Sequence, residues 1–99
     1  MKKGFFKRLA PKQILKSGQQ LQFTSTRTIK VFEGNTNHKK GDLVYIEPQD
    51  TLIFMYNTQE ELVFKAVCKG TKPSKAYCSN ETKVCIDKTI FDIKNYRLL

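Results

Sequence analysis

Apolar and polar side chains alternate from Leu21 to Val31, where the odd positions are mostly apolar and the even positions are polar. Because successive side chains of a strand point to opposite faces, this period of two predicts a β-strand, with a break near Ser25. Arg27 falls in the apolar phase. It therefore marks a bulge or break in the strand, or it points into a polar groove or barrel mouth, and we favour the bulge or break.

Three runs rich in β-branched and aromatic residues follow, and each has the length of a typical strand. They are Leu43–Ile46, Thr51–Tyr56 and Leu62–Cys68. The polar segments between them, 47–50 and 57–60, have the length of hairpin turns. The pattern therefore predicts three consecutive strands in an antiparallel meander.

The other segments predict turns and shorter strands. The run 33–42 is so rich in polar and turn-forming residues that we expect a flexible loop. Lys75–Cys78 and Lys83–Ile86 are expected to pair around the turn at 79–82. A last strand is expected over Thr89–Ile93.

Proline and glycine bracket a short segment near the N-terminus. Pro11 stands where a helix begins, and Gly18 stands where a left-handed cap ends one. We therefore expect a short helix over residues 9–18. A basic, flexible arm is expected over residues 1–8.

These elements fit one small domain, because a chain of 99 residues buries a single modest core. We expect residues 1–99 to form that domain, with residues 21–99 as its β-rich body. The expected fold is mainly β, a small α+β arrangement. It is an antiparallel meander or compact barrel of about five to seven short strands with one short N-terminal helix.

The sequence gives no signal for export or for a membrane anchor. No apolar run approaches the roughly 18 residues that a membrane-spanning helix needs. The N-terminus starts with basic residues as a signal peptide does, but Lys7 and Arg8 interrupt its apolar residues at once. We therefore expect a chain that no signal peptide exports, located in the cytoplasm or within a particle assembled inside the cell.

Positive charge is concentrated in one part of the chain. Residues 1–40 hold ten Lys and Arg and a single acid, Glu33, whereas residues 41–99 hold eight of each sign, so the net charge of +9 arises in the first 40 residues. Such a field favours an acidic partner, and nucleic-acid phosphates are the commonest one. The candidate residues for contact with nucleic acid or another partner are Lys2, Lys3, Phe5, Phe6, Lys7, Arg8, Lys12, Lys16, Arg27, Lys30, Lys39 and Lys40.

The three cysteines are too few and too irregularly spaced for a disulfide framework or a structural zinc site. Cys78 and Cys85 lie symmetrically about Glu81 and Thr82, so a tight hairpin would place them opposite each other. They are a candidate disulfide, although two small buried side chains explain the same spacing, and we favour the latter. No metal site and no cofactor are predicted.

The inventory of catalytic groups is thin. His38 is the single histidine, and its position in the polar run beside Lys39 and Lys40 predicts a solvated loop residue rather than a general base. No catalytic residue is predicted, so an enzyme is the least favoured class of function.

Three short stretches faintly resemble the opening of ASCH domains in the PUA-like superfamily. They are Ile14–Gly18, Thr26–Ile29 and Lys40–Ile46, which together cover under half of the chain. The resemblance implies a small β-barrel linked to RNA, with amidohydrolase activity in those members that carry a lysine shortly after the glycine. Here Gln19 and Gln20 follow Gly18.

Two hypotheses of function follow. The first is a non-catalytic binding module that contacts nucleic-acid phosphates through its basic N-terminal region, with Phe5 and Phe6 available to stack on bases. The alternative is a structural subunit of a large assembly such as a virion, in which the N-terminal arm docks on a neighbouring subunit. The sequence leaves the oligomeric state open.

Overall fold

The computed structural model describes residues 15–68 and 76–99, which form one antiparallel sheet of seven strands with almost no helix. This confirms the mainly β class and the antiparallel pairing. The strands are β1 (Gln20–Phe23), β2 (Arg27–Glu33), β3 (Leu43–Ile46), β4 (Thr51–Asn57), β5 (Glu61–Val67), β6 (Lys83–Asp87) and β7 (Tyr96–Leu98), with a 3-10 turn at Ile93–Asn95 before β7. None of the described helical segments is long and apolar enough to cross a membrane.

The predicted helix over residues 9–18 is not present in its described part. Residues 9–14 lie outside the described residues, and Leu15–Gly18 form a turn that Gly18 enters with a φ of +91°. The amide of Gly18 donates to the carbonyl of Phe54 on β4 (2.7 Å). The backbone at Gly18 is thus tied to the sheet rather than capping a helix.

The long alternating segment divides into β1 and β2, with a break at 24–26 as the pattern around Ser25 indicated. The phase does not shift across the break. Arg27 stays on the face of the buried side chains of Ile29 and Val31, although it is itself exposed at the beginning of β2. The break was therefore predicted correctly, but Arg27 occupies the groove position that we favoured less.

The predicted meander is only half right. β4 and β5 pair as a hairpin through 58–60, but the segment 47–50 is not a hairpin, because β3 pairs with β2 and β4 pairs with β5 and β1. The order of strands in the sheet is β3-β2-β6-β5-β4-β1-β7. Two short connections, β1 to β2 and β3 to β4, therefore join strands that stand four places apart.

These connections force the sheet to curl. Strands four places apart in a flat sheet lie about 19 Å from each other. The four Cα steps from Phe23 to Arg27 cover at most about 15 Å. The connection from β3 to β4 is shortened further by a turn in which the Asp50 amide donates to the Glu47 carbonyl (2.9 Å). The sheet must therefore fold back on itself, although it remains open because β3 and β7 do not pair.

The core fills the inside of this curl. It consists of apolar side chains at alternate strand positions, and the most deeply buried are Leu21, Val31, Val44, Ile46, Leu52, Phe64 and Val84. The rings of Phe54 and Phe64 meet edge to face with centroids 5.5 Å apart. Burial of aliphatic and aromatic side chains at about 25 cal/mol per Å² is the main stabilising contribution in such a domain.

Two predicted strands near the C-terminus are wrong. Thr89–Ile93 runs through a turn into the 3-10 segment, and the last strand is β7 instead, which pairs with β1. Lys75–Cys78 forms no strand in its described part, where Tyr77 makes only an isolated parallel bridge to Tyr45 on β3. β6 therefore pairs with β2 and β5 rather than with the segment before the 79–82 turn.

Candidate functional site

A groove opens where the curled sheet fails to close, between the beginning of β2 and the entry into β7. Its cavity of about 340 Å³ is lined mainly by apolar side chains, with Arg27 and Lys30 as its basic members. The carbonyl oxygen of Asn95 accepts from the Thr24 amide (3.0 Å), so the β1–β2 connection is tied to the start of β7. We call this cavity the seam groove; its lining includes Phe23, Arg27, Lys30, Leu43, Cys85 and Tyr96.

Arg27 is the basic residue of the groove that forms no ion pair within the described part of the chain, although the carboxylate of Asp87 lines the same groove. Its Nη2 donates to the side-chain oxygen of Asn95 (3.2 Å), which is a neutral acceptor. The guanidinium is exposed at the rim of the groove. Its remaining N–H groups are therefore available to an anionic ligand.

Lys30 is different, because its charge is paired. Its Nζ lies 3.0 Å from Oε2 of Glu61, which also accepts from the thiol of Cys85 (3.3 Å). The hydrogen bond from Lys30 lowers the pKa of Glu61, and the same bond raises the pKa of Lys30. Burial, together with the bond to Glu61, raises the pKa of Cys85 to about 12. The Cys85 thiol is thus neutral and unreactive at ordinary pH.

The other predicted basic residues are not gathered around the groove. Lys16 is exposed before β1, and Lys39 and Lys40 are exposed in the loop that follows β2. The loop returns beside Val31, to which Gly41 and Asp42 are hydrogen-bonded, and Val31 lies four positions from Arg27, or about 13 Å at 3.3 Å per residue. Seven further candidates lie outside the described residues, namely Lys2, Lys3, Phe5, Phe6, Lys7, Arg8 and Lys12.

Counting charges by region sharpens the sequence prediction. Residues 15–68 and 76–99 contain ten Lys and Arg against nine Asp and Glu, and are therefore almost neutral. Residues 1–14 and 69–75 contain eight Lys and Arg and no acid. The basic excess of the protein thus belongs to these two segments, and within the near-neutral sheet Arg27 is the basic residue that lines the seam groove without an ion pair.

A second polar feature lies at the other end of β2, and it corrects the interpretation of His38. The histidine is not solvated, since only 4% of its surface is exposed and its Nε2 accepts from the amide of Ser79 (3.2 Å). The hydroxyls of Ser79 and Thr82 are 2.8 Å apart, and Asn35 donates to the Thr82 hydroxyl (3.0 Å). We call these four residues, Asn35, His38, Ser79 and Thr82, the Ser79 network.

The loop that carries His38 is held by hydrogen bonds rather than flexible, which is a second correction. The side-chain oxygen of Asn35 accepts from the amides of Asn37 and His38 (2.9 Å each). A carboxylate oxygen of Asp42 accepts from the amide of Lys39 (2.9 Å), and Gly41 takes a φ of +91°. Asn and Asp in such turns satisfy the backbone locally, so the polar composition of this run reflects an ordered turn.

The paired placement of Cys78 and Cys85 is also wrong. Cys85 lies on β6 opposite Val63 and Lys30, whereas Cys78 lies just before the 79–82 turn. The neighbour of Cys78 is Cys68, and all three thiols are free. The error follows from the missing hairpin, because the symmetry about residues 81 and 82 matters only if the segments on either side pair.

The chemistry of the described residues is limited. No group of three or more His, Cys, Asp and Glu residues among them has the geometry to hold a metal ion. The Nε2 lone pair of His38 is occupied by the Ser79 amide, so this atom is not available as a general base. His38 therefore has a structural role in the Ser79 network, and the seam groove is the candidate site that remains among the described residues.

Sequence reasoning missed two residues of the groove, Asn95 and Tyr96. Tyr96 packs between Phe23 and Phe91, with ring centroids 4.7 and 4.9 Å away, and burial raises its pKa. The aromatic side chain of Tyr96 was the only local signal in the sequence for either residue. Their role depends on the long-range pairing of β7 with β1, which the sequence does not encode locally.

Comparison with known proteins finds no match. No protein family matches the chain. Neither a curated protein nor a solved structure matches it. The proposed function is therefore based on the sequence and structure of this chain.

Proposed function

We propose that this protein is a non-catalytic binding module that contacts nucleic-acid phosphates through its basic N-terminal region, with Arg27 as an additional contact on the sheet. The observation that carries the proposal is the separation of charge. Residues 1–32 hold eight Lys and Arg and no acid, whereas the sheet is almost neutral. Positive charge without local carboxylates is what phosphate binding requires, because each neutralised phosphate releases condensed counterions.

The geometry of Arg27 supports the same proposal. A guanidinium recognises a phosphate through two parallel N–H bonds, and the single bond from Arg27 to Asn95 holds the side chain in place without neutralising it. Lys30, which stands nearby in the groove, is engaged with Glu61 and contributes less. The proposed contact is therefore one arginine on the sheet, added to the basic N-terminal region.

His38 and Cys85, two side chains that can take part in catalysis, have structural roles here, which supports a non-catalytic module. The single histidine is buried in the Ser79 network, and the Cys85 thiol donates to Glu61. Under this proposal the curled sheet is a small barrel-like scaffold. The protein acts inside the cell, in the cytoplasm or in a particle assembled there, where nucleic acid is present and thiols stay reduced.

The test is the salt dependence of binding. Fluorescence anisotropy of the full chain with a labelled DNA duplex and a labelled single-stranded RNA is measured between about 50 and 200 mM salt. We expect affinity to fall steeply, with a slope of log K against log salt near −0.9 for each duplex phosphate neutralised. Absent binding to both probes, or binding that salt does not change, contradicts the proposal.

A second candidate function is a structural subunit of a large assembly such as a virion, and the open sheet favours it. β3 is partly covered on its outer side, where Tyr45 donates to the Ala76 carbonyl and accepts from the Cys78 amide (2.7 and 2.9 Å). β7 pairs with β1 alone within the described part of the chain, so its other edge can add a strand from a neighbour.

Sedimentation separates this candidate from the first. A subunit is expected to form large particles or defined oligomers, and deletion of residues 1–8 is expected to reduce their size if the N-terminal arm docks on a neighbour. A chain that stays monomeric at all concentrations and binds nucleic acid fits the first function and excludes the second.

A further inference from the structure

Cys68 and Cys78 stand ten positions apart in the sequence and lie together in the fold. Their Sγ atoms donate to the same acceptor, the carbonyl oxygen of Ser79, at 3.6 and 3.5 Å. Because both sulfur atoms lie within 3.6 Å of one oxygen atom, they are close neighbours. Cys85 is excluded from this pair, since its thiol is engaged with Glu61 on the strand that follows the turn.

Backbone hydrogen bonds hold the two cysteines in this arrangement from both sides. The amide of Cys68 donates to the side-chain oxygen of Asn80 (3.1 Å). Two positions before Cys68, the amide of Ala66 donates to the carbonyl of Thr82 (2.9 Å), and the carbonyl of Ala66 accepts from the amide of Glu81 (2.7 Å). The end of β5 is therefore fastened to the 79–82 turn, which keeps Cys68 beside the segment that carries Cys78.

We propose that Cys68 and Cys78 are a site of reversible oxidation, at which a low-molecular-weight disulfide such as glutathione disulfide converts the two thiols into an intramolecular disulfide. The shared acceptor places the two sulfur atoms close together, and formation of the disulfide brings them to the bond length of about 2.05 Å. The site does not depend on the proposed nucleic-acid function.

The reaction is a pair of thiol–disulfide exchanges. One thiol of the pair loses its proton to solvent, and its thiolate attacks glutathione disulfide; a mixed disulfide forms and one glutathione thiolate leaves. The other thiol of the pair then loses its proton and attacks the protein sulfur of the mixed disulfide, and the second glutathione thiolate leaves. The protein loses two electrons and two protons, and one glutathione disulfide is reduced to two glutathione molecules.

Acidity and access favour different thiols of the pair for the first attack. The hydrogen bond that Cys78 receives from Cys68 lowers the pKa of the Cys78 thiol, which favours Cys78 as the thiolate. Cys78 is buried whereas Cys68 is half-buried, so Cys68 is more accessible to glutathione disulfide. Either thiol can begin the exchange, and both orders end in the same disulfide.

Oxidation would add a covalent link between the end of β5 and the residue that precedes the 79–82 turn. The new bond closes a loop over residues 68–78 of the sequence. Such a link reduces the conformational entropy of the unfolded chain, so it is expected to stabilise the oxidised protein.

The experiment maps the disulfide in the full native chain. The protein is incubated with excess glutathione disulfide, its remaining thiols are alkylated, and its tryptic peptides are identified by mass spectrometry without reduction. We expect most molecules to carry a Cys68–Cys78 link with Cys85 alkylated. A C85S variant should give the same link, whereas C68S and C78S variants should each stop at a glutathione adduct on the remaining cysteine of the pair.

The same reaction in urea is the matched control. In the unfolded chain the shorter separation of Cys78 and Cys85 favours that pair, so the Cys68–Cys78 link should lose its predominance. The proposal is overturned if the native chain gives a Cys78–Cys85 link, only mixed glutathione adducts, or the same distribution of links as the unfolded chain.

Discussion

At the end of β2, the Ser79 network gives His38 and Thr82 hydrogen-bond partners and buries both, whereas at the beginning of β2 Arg27 is exposed in the seam groove and forms no ion pair among the described residues. Both features are polar interruptions of an apolar pattern. The network satisfies its polar groups internally, so it serves the fold, while Arg27 is the residue that we propose for ligand contact.

The sequence positions of His38 and Arg27 suggest the opposite roles for these two residues. His38 stands among lysines and asparagines and looks solvated, yet it is one of the most buried polar residues of the described chain. Arg27 interrupts a strand and looks like a local irregularity, yet it lines a cavity. Satisfaction of hydrogen bonds and charge, rather than position in a polar or apolar run, separates the structural residue from the candidate binding residue.

The largest expected effect is a loss of stability when Thr82 of the Ser79 network is substituted. Thr82→Val removes a fully buried hydroxyl that bonds to Asn35 and Ser79, and leaves their polar groups without this partner. We expect the free energy of unfolding to fall by about 2 kcal/mol, measured by urea denaturation. Nucleic-acid binding measured below the transition should not change.

Thr28→Val is the matched control, because Thr28 is exposed on the same strand as Arg27. The shape change is identical and no buried hydrogen bond is lost, so stability should stay within about 0.5 kcal/mol of the parent. An equal loss of stability in the two variants would show that the Ser79 network contributes nothing specific.

At Arg27 we expect a smaller effect, on nucleic-acid binding rather than on stability. Arg27→Ala should leave stability almost unchanged, since the side chain is exposed, but should weaken binding to duplex DNA and reduce the salt slope by about 0.9. Lys83→Ala is the control, because Lys83 is only partly exposed and is paired with Glu33 at 3.1 Å. Equal salt slopes for the two variants would remove Arg27 from the proposed contact.

The smallest effect concerns the pH dependence of stability, which the buried thiol of Cys85 in the seam groove changes. The pKa of Cys85 is about 12 in the folded chain, above the ordinary thiol value of 9.0, so the folded chain keeps a proton that the unfolded chain loses. The stability contributed by this group is therefore complete below about pH 9 and is lost as pH rises towards 12. Chemical denaturation across this range should show a shallower loss in Cys85→Val than in the parent chain.

Much of the fold was predictable from local patterns. β3, β4 and β5 occur where runs of β-branched and aromatic residues predicted them, and the break between β1 and β2 falls where the alternation weakens. Each of these predictions depends on a few neighbouring residues, because side-chain period and turn composition are local properties.

The pairing of the strands was not predictable in the same way. The connection 47–50 has hairpin composition, yet it sends the chain across the curl from β3 to β4. That choice depends on which apolar faces meet in the closed core, a property of the whole chain. The misplacement of Cys78 opposite Cys85, and the failure to anticipate β7, follow from the same non-local pairing.

The central claim, that basic residues before the sheet bind phosphates, is tested most directly by neutralising them together. A variant with Lys2, Lys3, Lys7, Arg8 and Lys12 replaced by Gln is compared with the parent chain by anisotropy with duplex DNA across a range of salt. We predict that the slope of log K against log salt becomes smaller by up to about 0.9 for each residue replaced. An unchanged slope and affinity would contradict the account.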